Sequence, residues 1–138
     1  MRVIVEMMTL SLVLAVAGAL VAGAQEPDWN ALSETETVEV LTEDEDGSPR
    51  VTTVWLLVQD GEAFLRTGHT SWGSNIVRDG KLTLRVGENE YLLRVEFEED
   101  DARRERIKQG FRDKYGWFDG LIGWVRGAHP KHMRLVSR

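Results

Sequence analysis

Residues Gly68–Asn75 read GHTSWGSN, between two stretches rich in β-formers. An ordinary connector is built from Gly, Asn, Asp or Pro and has no use for a Trp. The hydroxyls of Thr67, Thr70 and Ser71, with the backbone amides of a Gly-containing turn, are donors of the kind that grip a phosphate. His69 adds a further polar group. Trp72 offers either a pocket wall or a plug for the end of a barrel. Asn75 can contact a ligand or close the turn, and Ser71 can cap a short helix. Upstream, Arg50 carries the planar fork that binds phosphate in bidentate fashion, or else balances the acidic run Glu43–Asp46. Arg78 and Lys81 are further cations close by.

Other chemistries find little support. No G-x-G-x-x-G follows a strand, and there is neither a P-loop nor a G-x-S-x-G. His129 and His132 form H-x-x-H, but Pro130 lies between them and the second begins a strand. That spacing suits two partly exposed polar side chains better than a metal site, so no metal is expected. With no Cys there is no thiol nucleophile and no disulfide. A net charge of −6 argues against nucleic-acid binding.

The elements that must position these residues follow from hydrophobic period and turn chemistry. Thr37–Thr42 alternates as a strand, with Val38 and Val40 on one face and Glu39 and Leu41 on the other. EDEDGSPR turns the chain, and Val51–Gln59 reads as one buried strand. Asp60-Gly61 is a two-residue hairpin signal leading to Glu62–Thr67. Lys81–Val86 and Tyr91–Phe97 form a second hairpin through GENE. Asp100 and Asp101 cap a helix running to Tyr115, with Ile107, Phe111 and Tyr115 as its apolar stripe. Trp117–Trp124 is ambiguous between a short helix and a folded loop, suited to packing on the barrel, to a dimer interface or to a lid. Lys131–Val136 is the last strand. Six hairpin-linked strands must close or sandwich to bury a face, and a small barrel is the economical solution.

The N-terminus is of another kind. Met7–Ala24 is almost purely apolar and ends in Ala22-Gly23-Ala24, a small-x-small pattern suited to cleavage before Gln25. Residues 1–24 therefore read as an export signal, 25–36 as a polar lead-in, and 37–138 as one barrel domain. Export implies a periplasmic or secreted protein, and any membrane attachment would come from an uncleaved signal.

FLRTGHTSWGSNIVRDGKLTLRV resembles the middle of the split β-barrel flavin-binding superfamily, the pyridoxamine phosphate oxidase-like proteins. Within it, Trp72-Gly73-Ser74-Asn75-Ile76, followed by the strand of Leu82, Leu84 and Val86, is most similar to the deazaflavin-dependent nitroreductase and quinone reductase branch. The order of strands, the Asp60-Gly61 hairpin, the inserted helix and the final strand extend the likeness over about Val38 to Val136. The resemblance implies a mainly β fold, a six-stranded split β-barrel with one or two helices inserted before the last strand. It also implies a homodimer binding a small-molecule ligand, with FMN or a deazaflavin coenzyme as cofactor. Arg50, Thr67, His69, Thr70, Ser71, Trp72 and Asn75 are the cofactor-binding candidates. The implied activity is hydride transfer to a quinone or nitro compound, the cofactor supplying the chemistry. The alternative is a non-catalytic barrel of the cell envelope that binds a hydrophobic small molecule or a protein partner. The family's basic phosphate-gripping signature after the first strand is replaced here by EDEDGSPR, and no Lys follows Ser71.

Overall fold

A computed structural model of the chain describes residues 26–116 and 130–138. The expected export signal over residues 1–24, Trp117–Trp124 and His129 lie outside the described residues. After a 3-10 turn, Trp29–Leu32, come β1 (Thr37–Glu43), β2 (Pro49–Trp55), β3 (Leu57–Gln59) and β4 (Glu62–Thr67). Helix α1 (Ser71–Asp79), β5 (Lys81–Val86), β6 (Asn89–Phe97), helix α2 (Asp101–Tyr115) and β7 (Lys131–Ser137) complete the order. All seven strands join one antiparallel sheet in the order β2-β1-β5-β6-β7-β4-β3.

That order dictates the shape. The two edge strands, β2 and β3, are consecutive in the chain and separated only by Leu56. A sheet whose opposite edges are joined by one residue must curl on itself, so this is a split barrel. The expectation of a single strand over Val51–Gln59 is corrected here, and the strand count becomes seven. The break at Leu56 is where the chain leaves one edge of the curled sheet and enters the other.

Alternation sorts the faces as the sequence implies. Val38, Val40, Leu65, Leu82, Leu84, Leu93, Met133 and Leu135 fill the barrel. Trp29 joins them, so the lead-in is partly core rather than a polar tail. Asp60 and Gly61 both take positive φ, 54° and 74°, as a tight two-residue hairpin requires. Outside the barrel, α2 lays Ile107 and Phe111 on Leu57 and Phe64. Asp100 caps α2 as its sequence predicts, accepting from the Arg103 amide at 2.9 Å. Gly110 permits the close approach, since a β-carbon there would stand 2.9 Å from Leu57 Cδ2 and closer still to Gln59.

The C-terminal turn of α2 seals the seam. Leu56 is fully buried, and its backbone groups need partners. Its amide lies 3.0 Å from the Glu36 carbonyl and 3.1 Å from the Tyr115 hydroxyl. Its carbonyl lies 2.6 Å from that hydroxyl and accepts from Lys114 Nζ at 2.8 Å. The Tyr115 ring stacks on Trp55 with centroids 4.3 Å apart. Burial pushes the Tyr115 phenol up to about 12, keeping it a neutral hydroxyl, and lowers Lys114.

His132 contradicts the expectation of a partly exposed side chain: it is 6% exposed. It sits on the face of β7 opposite Met133 and Leu135, and among the described residues neither ring nitrogen has a hydrogen-bond partner. Burial, reinforced by Arg66, Arg104 and Lys108 and opposed by Glu105, lowers its pKa to about 4. The imidazole is therefore neutral when folded.

Two predictions follow from these buried groups. Tyr115→Phe keeps the stacked ring but leaves the Leu56 amide only the Glu36 carbonyl and the Leu56 carbonyl only Lys114, and is expected to cost about 0.5–1.5 kcal/mol in a denaturant titration with unchanged slope. For His132, the unfolded chain takes up a proton below about pH 6.5 while the folded state resists to about pH 4. Stability is thus fully present above pH 6.5 and falls by up to about 3 kcal/mol toward pH 4. In His132→Gln this part of the acid sensitivity should vanish, read as denaturation midpoints across that range.

Candidate functional site

The GHTSWGSN segment is largely helix. Expected as a turn, its second half forms the first turns of α1, with Thr70 rather than Ser71 as N-cap. Thr70 Oγ1 accepts from the Gly73 amide at 3.1 Å, and the Ser74 hydroxyl donates to the Thr70 carbonyl at 3.0 Å. Gly80, at φ 70°, ends the helix, its amide donating to the Ile76 carbonyl at 2.7 Å. Trp72 and Ile76, one turn apart, are buried in the barrel core, so the indole closes the barrel end.

Thr67 fixes where α1 starts. Its side chain is buried, with Oγ1 2.5 Å from Thr70 Oγ1. Gly73 packs so tightly on this pair that a β-carbon would stand 2.8 Å from Thr67 Oγ1 and Cγ2 and 2.9 Å from Thr70 Oγ1.

A polar hub links α1 to the β1–β2 turn. Arg50 is held in a fork by Asp44, Nε to Oδ1 at 2.8 Å and Nη2 to Oδ2 at 3.0 Å. Asn75 Nδ2 donates to Asp44 Oδ1 at 2.9 Å and Thr42 Oγ1 at 3.1 Å. Arg78 donates to Asn75 Oδ1 at 3.3 Å and to the Glu43 carbonyl. Hydrogen bonds from Arg50, then Asn75, hold the Asp44 carboxyl below its ordinary range. Arg50 thus has a carboxylate partner within its own turn, and the Asn75 amide is engaged at both ends.

Two depressions flank α1. An open one of about 810 Å³ is lined by Asp44, Glu45, Asp46, Arg50, Ser71 and Asn75 among others, and is rich in carboxylates. A more enclosed cleft of about 300 Å³ is lined by Thr67, Gly68, His69, Gly73, Ser74, Val77, Arg78 and Lys131. It has no carboxylate in its wall, and Lys131 gives it positive charge; Arg78 is held in a fork by Asp79, Nε to Oδ1 at 3.0 Å and Nη2 to Oδ2 at 2.9 Å. His69, Ser74 and Arg78 border both. The structure thus gathers His69, Thr70, Ser71, Asn75 and Arg50 around one depression and Thr67 and His69 around the other, and leaves Trp72 facing the core. Sequence reasoning missed Lys131, which lies inside the H-x-x-H stretch and reaches the cleft only through β7–β4 pairing, Thr67 opposite Lys131. It also missed Asp44 as the hub. Among the described residues, no three His, Cys, Asp or Glu side chains gather as a metal site.

The curled sheet, with a polar cleft beside α1, is a split-barrel fold. The chain belongs to the family described as "Uncharacterized protein conserved in bacteria (DUF2255)", which matches residues 28–131. No curated protein matches it. Among solved structures, a putative pyridoxamine 5'-phosphate oxidase from Listeria innocua is similar at 14% identity and TM-score 0.57, over 78% of this chain and 87% of that one. An F420-H2 dependent reductase, FDR-A, is similar at 14% identity and TM-score 0.60, over 74% and 95%. The heme storage protein HutZ from Vibrio cholerae is similar at 13% identity and TM-score 0.62, over 82% and 89%. At such identities the likeness is one of fold.

Gly73→Ala tests how α1 is seated. At an ordinary helical position this change stabilises by roughly 0.5–1 kcal/mol. Here the clash with buried Thr67 and Thr70 should reverse the sign, to a loss of about 1–3 kcal/mol by thermal or chemical unfolding.

Proposed function

We propose that this protein binds FMN or a deazaflavin coenzyme beside α1 and acts as an exported, homodimeric oxidoreductase that reduces a quinone or nitro compound. The observation that carries the reading is the cleft between β4, α1 and Lys131. Its volume of about 300 Å³ lies at the lower end of the range for small-molecule pockets. It combines an apolar wall at Val77 with hydroxyl, imidazole and cationic groups. Lys131 suits an anionic portion of the ligand. His69, Thr70 and Ser71 lie where its phosphate tail would pass over the start of α1 toward Arg50, with Thr67, Trp72 and Asn75 fixing the helix. The bound cofactor would supply hydride transfer, while these side chains bind and orient it. The fold shared with a reductase named for F420-H2 and with a putative pyridoxamine 5'-phosphate oxidase supports the reading.

One observation favours a second reading, a non-catalytic barrel that binds a hydrophobic small molecule. Arg50 is held by Asp44 at the edge of an acidic depression, a poor setting for a phosphate.

Titration of the purified protein with FMN and with the deazaflavin coenzyme, followed by absorbance and fluorescence, separates the two. The first reading expects saturable binding, weakened about tenfold by Lys131→Ala, the loss of one charge-assisted contact. It also expects Asp44→Asn to tighten binding, because the change removes a negative charge and frees the Arg50 fork. No binding of either ligand at high micromolar concentration would remove it. Unchanged affinity in Asp44→Asn would take Arg50 out of the site.

A further inference from the structure

Among the described residues, His132 is the one side chain with every polar atom buried and without a hydrogen-bond partner. Such a group calls for an explanation. Its register neighbour on β4 is Arg66, whose guanidinium lies 4.4 Å from the centroid of the Phe111 ring of α2. Helix α2 therefore roofs this row of the sheet. Arg104, Lys108 and Phe111 are at i, i+4 and i+7, on one flank of α2. The cations Arg66, Arg104 and Lys108 all oppose a proton on the imidazole. The carboxylates nearby are engaged elsewhere. Glu98, whose amide donates to the His132 carbonyl at 3.0 Å, gives its carboxylate to Arg134, with Arg103 at 3.9 Å. Glu62 and Glu96 also hold Arg134, and Asp101 holds Arg104. Glu105, on α2, favours the proton, but more weakly than any of the three cations opposes it. The helix itself is lightly held. Of its 15 residues only Ile107 and Phe111 are buried, against Leu57 and Phe64.

We propose that His132 makes α2 an acid-released latch on the barrel, in which protonation of the imidazole lifts the helix from β4 and β7 while the sheet stays folded. An imidazolium beneath α2 adds a positive charge beside Arg66, Arg104 and Lys108, where it is cut off from water. Lifting the helix solvates that charge and separates it from Arg104 and Lys108, and it gives up only the contact of Ile107 and Phe111 with the sheet. The strands are held by a shared core and by ladders on both sides, so the helix is the element that yields first. Release also withdraws Tyr115 and Lys114 from the Leu56 backbone and uncovers Trp55, Leu57 and Phe64. The barrel thus opens at the residue that closes it. The sign follows from the imidazole, whose ordinary value of 6.5 is lowered to about 4 when seated. The latch holds in full above pH 6.5, and the ratio of released to seated helix rises as pH falls toward 4.

The latch is independent of what the cleft beside α1 binds, and hydrogen exchange of the purified protein without added ligand tests it. Amides of α2 are expected to be less protected than those of β5 and β6 at every pH. Their protection, corrected for the intrinsic exchange rate, should fall on the order of 100-fold between pH 7 and pH 4. In His132→Gln, which stays neutral, most of that fall should disappear. Lys108→Glu, at an exposed position, gives the imidazolium a carboxylate and should shrink the fall as well. It decides the matter should His132→Gln fail to fold, which far-ultraviolet circular dichroism reports. Three results would overturn the proposal: equal protection of α2 and the central strands, protection of α2 that does not change with pH, or a fall of the same size in the folded variants.

Discussion

Closure of the barrel at Leu56 is the constraint on which the rest depends. One residue carries the chain from the first edge of the sheet to the last, and its amide and carbonyl are buried where no sheet partner is available. Tyr115 and Lys114 answer that need from the last turn of α2. The helix is therefore more than a cover for an apolar patch. Its stripe of Ile107 and Phe111 places it on β3 and β4, and its final turn completes the hydrogen bonding of the seam. A hydroxyl that stays neutral is suited to this task, because it both donates and accepts.

Closure then determines what the open end of the barrel can hold. Once β4 and β7 pair through Thr67 and Lys131, α1 must start immediately beyond β4. The contact of Thr67 with Thr70 and Gly73 sets that start, and Trp72 and Ile76 plug the opening. The hub of Asp44, Arg50, Asn75 and Arg78 ties the helix to the β1–β2 turn. These are neighbouring polar groups satisfying one another, and they leave α1 rigidly seated between an acidic depression and a cationic cleft. A ligand with an apolar body and an anionic end is matched by the second.

Much of the barrel is legible in the sequence, because alternation and turn residues act locally. The Asp60-Gly61 hairpin, the two faces of β1 and the Asp100 cap are read from neighbouring residues alone. The break at Leu56 is not, since VTTVWLLVQ contains no breaker and the interruption comes from closing the sheet. Helix α1 was also hidden: Ser, Gly and Asn are poor helix formers, and nine residues give few turns of pattern. The available signals were Trp72 and Ile76 one turn apart, bracketed by Thr70 and Gly80. At the site, the hydroxyl-rich segment is conspicuous by composition, and Arg50 by its fork. That Asp44 engages Arg50, and that Lys131 reaches the cleft, depend on pairings between distant segments, which residue types do not reveal. The burial of His132 is similar, a consequence of α2 lying near β7.

The central claim, a flavin-type ligand beside α1, is tested most directly by amide chemical-shift mapping of the 15N-labelled protein during titration with FMN. The account predicts saturable shifts concentrated at Gly68, His69, Ser74, Val77 and Lys131, with Leu41, Thr83 and Leu92, on the outward faces of β1, β5 and β6, unmoved. An unchanged spectrum, or shifts that bypass the cleft and gather elsewhere on the barrel, would contradict it.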